Sequence, residues 1–227
     1  MAKQLPPTVD TVIFDLDGTL VDSEPDLRAA LNRLLADLGR REVCRDEVVM
    51  MVGDGVPKLV ERALAATGGS PEGIRRDPLT TFLNYYGEAP ADLSTLFPGA
   101  EALLADLRAA GAKIGVCTNK PEKPARDILR LFGIDKYIDA VAGGDTVPGV
   151  RKPDPRLLAL VLDALEASPD RAVMVGDSAN DIDTAKALGV PAIAVSFGYP
   201  RGPVADLGAD AVIDRFVDFW AAVRGLA

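Results

Sequence analysis

Apolar and β-branched residues gather in a short run near the start of the chain, Val9, Val12, Ile13 and Phe14, which predicts a buried β-strand. Similar runs recur at 113–117, 140–142, 172–175, 192–195 and 211–213. Between them, apolar positions at helical spacing predict helices over 99–110, 124–132, 155–165, 181–188 and 216–223, several stopped by a glycine such as Gly111, Gly133 or Gly189. Strand and helix in alternation imply an α/β core, a parallel sheet with helices on both faces.

The stretch behind the first strand has a different texture. Asp22-Ser23-Glu24-Pro25 predicts a helix start, with Ser23 at the cap and Asp26 placed to reach back. Leu27, Leu31, Leu34 and Leu38 then form an apolar stripe that ends at Gly39. Further helices are expected over 46–52, 56–67 and 71–86, with breaks at Gly53-Asp54-Gly55 and Gly68-Gly69, and no strand between 23 and 97. The organisation expected is therefore a core of residues 1–21 and 98–227 carrying an inserted all-α cap domain of residues 22–97. A cap of this kind would hinge at 21–23 and 97–99, where the chain crosses twice.

Composition narrows the chemistry. The 227 residues carry a net charge of −9, which repels a polyanion and argues against nucleic acid as a partner. An anionic substrate must then be held by local cations. The amino terminus has no signal-peptide core and no run approaches the length of a membrane span, so a soluble cytoplasmic protein, monomer or homodimer, is expected. Cys44 and Cys117 form no CxxC pair and read as small buried hydrophobes. Histidine is absent altogether, which removes His-based triads and general bases and leaves Asp, Glu, Lys, Ser and Thr.

The first strand ends in Asp15-Leu16-Asp17-Gly18-Thr19. Two carboxylates can turn to one side there, at the sheet end where α/β proteins carry ligands. Two anions so close need a cation between them or a shared proton. A calcium loop of the EF-hand type does not fit, because its sixth and twelfth positions, counted from Asp15, are Leu20 and Asp26 rather than Gly and Glu. Later strands also end in polar residues: Thr118-Asn119-Lys120, then Lys152 after Gly149-Val150-Arg151, then Gly176-Asp177-Ser178-Ala179-Asn180-Asp181. Each alone has an ordinary explanation as a helix cap, a solvated charge or a turn.

In this order, Asp15-Leu16-Asp17-Gly18-Thr19, Thr118, Lys152 and Gly176 to Asp181 resemble the haloacid dehalogenase superfamily over almost the whole chain, most closely its phosphoglycolate phosphatases. The resemblance implies a Rossmann-like core and a Mg²⁺-dependent phosphomonoester hydrolase acting on a small phosphorylated metabolite, 2-phosphoglycolate first. It makes Asp15 the nucleophile of an aspartyl-phosphate and Asp17 the acid and base. Thr118, Asn119 and nearby amides would bind the phosphoryl oxygens, and Lys152 would supply charge in the transition state. Magnesium would be held by Asp15, the backbone carbonyl of Asp17 and Asp177, with Asp181 reaching it through water or orienting Lys152. An unperturbed Asp, with pKa about 3.9, donates protons poorly at neutral pH. Asp17 is accordingly expected in a partly buried site among anions.

Asp17 also favours phosphate chemistry over dehalogenation, since a halide needs no acid to depart. In the cap, Gly53 and Gly55 could bring backbone amides to a small anionic group, and Arg62 could join them in substrate recognition. Lys58 shares the helix face of Arg62, and that face could equally be only solvated. The alternatives are a sugar phosphomutase of the β-phosphoglucomutase type and a phosphate-binding protein without turnover.

Overall fold

The computed structural model describes residues 5–69 and 77–226. The chain runs β1 (Thr11–Phe14), β2 (Val21–Asp22), α1 (Glu24–Asp37), α2 (Arg45–Met51), α3 (Val56–Ala66), α4 (Pro78–Glu88) and β3 (Thr95–Leu96). It continues through α5 (Ala100–Ala109), β4 (Lys113–Cys117), α6 (Glu122–Leu131), β5 (Ala140–Ala142), α7 (Pro155–Ala164) and β6 (Ala172–Gly176). The last elements are α8 (Ala179–Ala187), β7 (Ala192–Val195), β8 (Ala211–Ile213) and α9 (Phe219–Gly225).

Six strands form one parallel sheet in the order β5-β4-β1-β6-β7-β8. β1 lies between β4 and β6, so the strand order reverses around it and a crevice opens at its carboxyl end. Alternation along β1 divides the core: Val12 and Phe14 face one apolar cluster, Ile13 the other. The Ile13 side is covered by Leu157, Leu158 and Val161 of α7 and Ile182 of α8. The Phe14 side is covered by Leu104 of α5, Ile128 of α6 and Phe219 of α9, and this cluster continues into α1 to α4. Among the described residues no helix is long and apolar enough to cross a membrane.

Most strand bounds agree with the sequence pattern, and the differences have local causes. β3 falls in the stretch read as free of strands: it is two residues long, too short for a period, and pairs antiparallel with β2. Of the helix expected over 71–86, residues 71–76 lie outside the described residues, and α4 starts at Pro78 behind an Asp77 cap. α6 and α8 begin earlier than expected, at Glu122 and Ala179. Pro124 is tolerated in the first turn, where an N–H has no helical partner, and Asp181 is the third residue of α8 in a capping box with Ser178. Cys44 is exposed, not buried, whereas Cys117 is buried as expected.

The start of α1 is also held differently. The Ser23 side chain makes no cap bond and its hydroxyl is buried without a partner. Asp26 does not reach back; its carboxylate accepts from the Leu93 N–H at 3.0 Å, the Ser94 N–H at 2.7 Å and the Ser94 hydroxyl. It thereby ties α1 to the chain entering β3. Asp26→Ala is expected to lower unfolding free energy by about 2–4 kcal/mol, because buried N–H groups lose a charged acceptor. Asp26→Asn, keeping one acceptor, should lose less; urea denaturation of the three proteins measures both.

Candidate active site

Three strand ends and one loop meet at the crevice. Asp15 follows β1, Thr118 follows β4, Asp177 follows β6, and Lys152 arrives from the loop between β5 and α7. The Lys152 ammonium lies 2.9 Å from Asp15 Oδ1 and 2.5 Å from Asp181 Oδ1, with its side chain only 1% exposed. The other Asp181 oxygen accepts the Ser178 N–H and hydroxyl at 3.0 and 2.7 Å, so α8 delivers it to Lys152 in a fixed orientation. Asp177 is held by the Tyr199 N–H on Oδ2 at 2.7 Å and the Thr19 hydroxyl on Oδ1 at 3.3 Å. Gly18 allows this approach: at φ +84° a Cβ there would lie 2.3 Å from Asp177 Oδ2.

One oxygen each from Asp15, Asp177 and Asp181 falls within 4.8 Å of the others. Burial pushes Asp15 up to about 7; Lys152 offsets part of this, and Asp181 and Asp17 add to it. Burial also raises Asp177 well above the ordinary carboxylate range, with Asp181 and Asp15 reinforcing it. Lys152 is pulled down by burial, but Asp15 and Asp181 more than offset this and hold it above its ordinary value. Three clustered acids facing one ammonium have the chemistry of a hard-cation site, all carboxylate oxygens and no nitrogen or sulfur. The donor set fits magnesium. Asp17 contributes no side-chain oxygen to this group.

Asp17 is half-buried and near Asp15, as expected from sequence, but it also faces a cation. Both its oxygens meet the Lys120 ammonium, at 3.1 and 3.2 Å, and that ammonium also donates to the Tyr86 hydroxyl of α4 at 2.8 Å. Neither Lys120 nor Tyr86 was singled out by the sequence pattern. Lys120 could have been, as a cation next to Thr118 and Asn119 at a strand end; Tyr86 carries no such signal.

The remaining candidates are distributed unevenly. The Thr118 N–H is taken by the Ala142 carbonyl at 3.0 Å, so only its hydroxyl is available to a ligand. Asn119 is a brace: its Oδ1 accepts the Lys152 N–H at 2.8 Å, and its Nδ2 donates to the Lys152 and Gly53 carbonyls at 3.0 and 2.9 Å. Gly53 and Gly55 line the same pocket as Asp15, Asp17, Thr118 and Lys120, with Leu27, Val56 and Leu59 as its apolar wall. Arg62 does not line it. Its guanidinium donates to the Met51 carbonyl at 2.8 Å and pairs with Asp54, which Arg201 and Asn180 also hold. Burial works against the Asp54 anion, yet bonds from Asn180, Arg201 and Arg62 together bring it down to about 2. Lys58 is exposed and pairs with Glu61.

The model of the haloacid dehalogenase-like hydrolases matches residues 9–189. The chain is 48% identical over 210 residues to a phosphoglycolate phosphatase of Rhodospirillum rubrum, covering 90% of this chain and 87% of that one. It is 44% identical over 209 residues to a phosphoglycolate phosphatase of Caulobacter vibrioides, covering 92% and 88%. Its fold is similar to the crystal structure of a predicted phosphoglycolate phosphatase from Haemophilus somnus 129pt, with a TM-score of 0.87, 32% identity and coverage of 94% and 97%.

The raised Asp15 sets a pH dependence. An acid held near 7 in the folded protein against an ordinary 3.8 binds its proton more tightly when folded. Its contribution to stability is complete below the ordinary value and is lost as pH rises through the folded one. In metal-free buffer, unfolding free energy should fall between pH 5 and pH 8 by an amount on the order of a few kcal/mol, and Asp15→Asn should flatten that slope. Denaturant titrations of both proteins across this range measure it.

Proposed function

The chain belongs to the haloacid dehalogenase-like hydrolases and is a phosphatase; from that premise we propose that it hydrolyses 2-phosphoglycolate through an aspartyl-phosphate on Asp15, with magnesium. The observation that carries this reading is the Lys152 ammonium, buried between Asp15 and Asp181 in a group that includes Asp177. The substrate follows from the phosphoglycolate phosphatases to which the chain is similar across most of its length. A small ester also suits a pocket lined by Asp15, Asp17, Thr118 and Lys120 together with Gly53 and Gly55.

Asp15 Oδ1 is engaged by the Leu16 N–H at 2.7 Å and by Lys152, which leaves Oδ2 to attack phosphorus. As that bond forms, the bond from phosphorus to the alkoxide breaks, and Asp17 protonates the departing oxygen. Water then attacks the phosphorus of the intermediate, giving a proton to Asp17, and the Asp15 carboxylate is released with phosphate. Lys152 and the Thr118 hydroxyl stabilise the charge that builds on the phosphoryl oxygens. Asp15, Asp177 and the backbone carbonyl of Asp17, with Asp181 beside them, would hold magnesium, which would supply the charge that lets a carboxylate approach a phosphate dianion.

Residues 22–97 serve in this reading as a cap over a core of 1–21 and 98–227, hinged at 21–23 and 97–99. Gly55, at φ +84°, brings this cap close to the Asn119 carbonyl, 3.2 Å from where a Cβ would stand. The substrate is a free metabolite and the setting is cytoplasmic.

With 2-phosphoglycolate and Mg²⁺, phosphate release is expected, and removal of the metal by a chelator should abolish it. Asp15→Asn should lower kcat by about 10⁴-fold or more, since no other group here forms the covalent intermediate. Phosphate release by Asp15→Asn at the native rate would remove the nucleophile. Conversion of a hexose 1-phosphate to the 6-phosphate without release would replace the hydrolase by a phosphomutase.

A further inference from the structure

Lys120 is buried, its side chain 2% exposed, and its ammonium has three partners: both oxygens of Asp17 and the hydroxyl of Tyr86. An ammonium has three N–H donors. All three are occupied, so although Lys120 lines the pocket it has no donor left for a substrate oxygen. Tyr86 is buried too, and its ring stacks on Phe82 with centroids 5.8 Å apart and planes 7° from parallel. The Lys120 ammonium also lies 4.7 Å from the centre of the Tyr86 ring, a cation–π distance. The aromatic pair belongs to α4, whereas Asp17 and Lys120 belong to the ends of β1 and β4.

We infer that Lys120 and Tyr86 are a positioning pair for Asp17, fixing its carboxylate toward the leaving oxygen. The inference rests on Asp17 being the acid and base of the proposed reaction. A carboxylate at the end of a turn has freedom about its side-chain torsions, and proton transfer needs it within hydrogen-bond reach of one particular oxygen. A two-oxygen contact to a buried ammonium removes that freedom. Because Tyr86 is carried by α4, the acid–base group is fully set only with the helical block seated on the sheet. Substrate enclosure and acid placement are thereby one event.

The test separates proton delivery from substrate binding by the choice of leaving group. Three esters serve: 2-phosphoglycolate, 2-hydroxyethyl phosphate, which has an alkyl leaving group and no carboxylate, and p-nitrophenyl phosphate, whose weakly basic phenolate departs with little help. Each is assayed with the full chain and Mg²⁺, reading kcat/KM, which reports the first phosphoryl transfer.

For Lys120→Met, kcat/KM should fall by about 30–100-fold on both alkyl esters and by less than about 5-fold on p-nitrophenyl phosphate, since general acid catalysis contributes about 10²-fold or more. Lys120→Arg should recover part of the loss. Tyr86→Phe, which keeps the stacked ring, should show the same bias toward the alkyl esters at about 3–10-fold. It carries the test alone should Lys120→Met fail to fold. Equal losses on all three esters, or no bias in Tyr86→Phe, would overturn the pair. A loss confined to 2-phosphoglycolate would also overturn it, making Lys120 the partner of the substrate carboxylate. Asp17→Asn is the control: a bias there without one in the Lys120 and Tyr86 variants removes the pair alone, and no bias in Asp17→Asn removes the acid as well.

Discussion

The Lys152 ammonium is the contact on which the rest of the site depends. It is enclosed by protein, shared by Asp15 and Asp181, and supported from behind by Asn119, which grips its backbone on both sides. Removing one partner of a buried ion pair is expensive, about 3–5 kcal/mol, because the other charge is left without compensation. The parallel sheet supplies the acids to this one cation. β1 and β6 are hydrogen-bonded neighbours, so Asp15 and Asp177 leave the sheet side by side, and α8 returns Asp181 over them.

The helical block meets this centre through polar contacts and not by apolar packing alone. Asp54 of the Gly53-Asp54-Gly55 turn is held from its own side by Arg62 and from the sheet side by Arg201 and Asn180. Asn119 and Asn180 both donate to the Gly53 carbonyl, at 2.9 and 3.2 Å. Such contacts form and break with water as the competitor, so each contributes modestly to stability beside the apolar cluster that joins the block to the sheet. Tyr86 adds a contact to Lys120, which lines the same pocket as Gly53 and Gly55.

How far the sequence foretold this depends on how far apart in the chain the interacting groups lie. β4, β5, β7 and β8 are bounded as their apolar runs indicate; in β4 and β7 burial on both faces writes a continuous signal into adjacent residues, whereas the edge strands β5 and β8 are only partly buried. Asp15, Thr118, Lys152 and Asp177 stand out in the sequence only together, by their order along the chain and the family it resembles, since Thr118, Lys152 and Asp177 each alone read as a cap, a solvated charge or a turn. What could not be read are pairings across the chain. Asp26 has the spacing of a helix cap, yet its partners are Leu93 and Ser94. Arg62 has the position of a substrate ligand, yet Asp54 and the Met51 carbonyl occupy it. Tyr86 looks like one more aromatic on an apolar helix face, and only the tertiary fold places its hydroxyl beside Lys120.

Charge explains why the two buried lysines are not enough for the chemistry. Four carboxylates, Asp15, Asp17, Asp177 and Asp181, stand against two ammoniums, Lys120 and Lys152, which leaves a formal −2 when all are ionised. Both lysines are already engaged, and the raised Asp15 and Asp177 show that protons compete for the surplus. A phosphate dianion entering this site would meet repulsion at short range and in a low dielectric, where it is least screened. A divalent cation held by the three clustered acids would cancel the surplus and, under the proposed mechanism, would keep Asp15 ionised. The acid excess of the metal-free site is therefore the property that fits it to a hard cation.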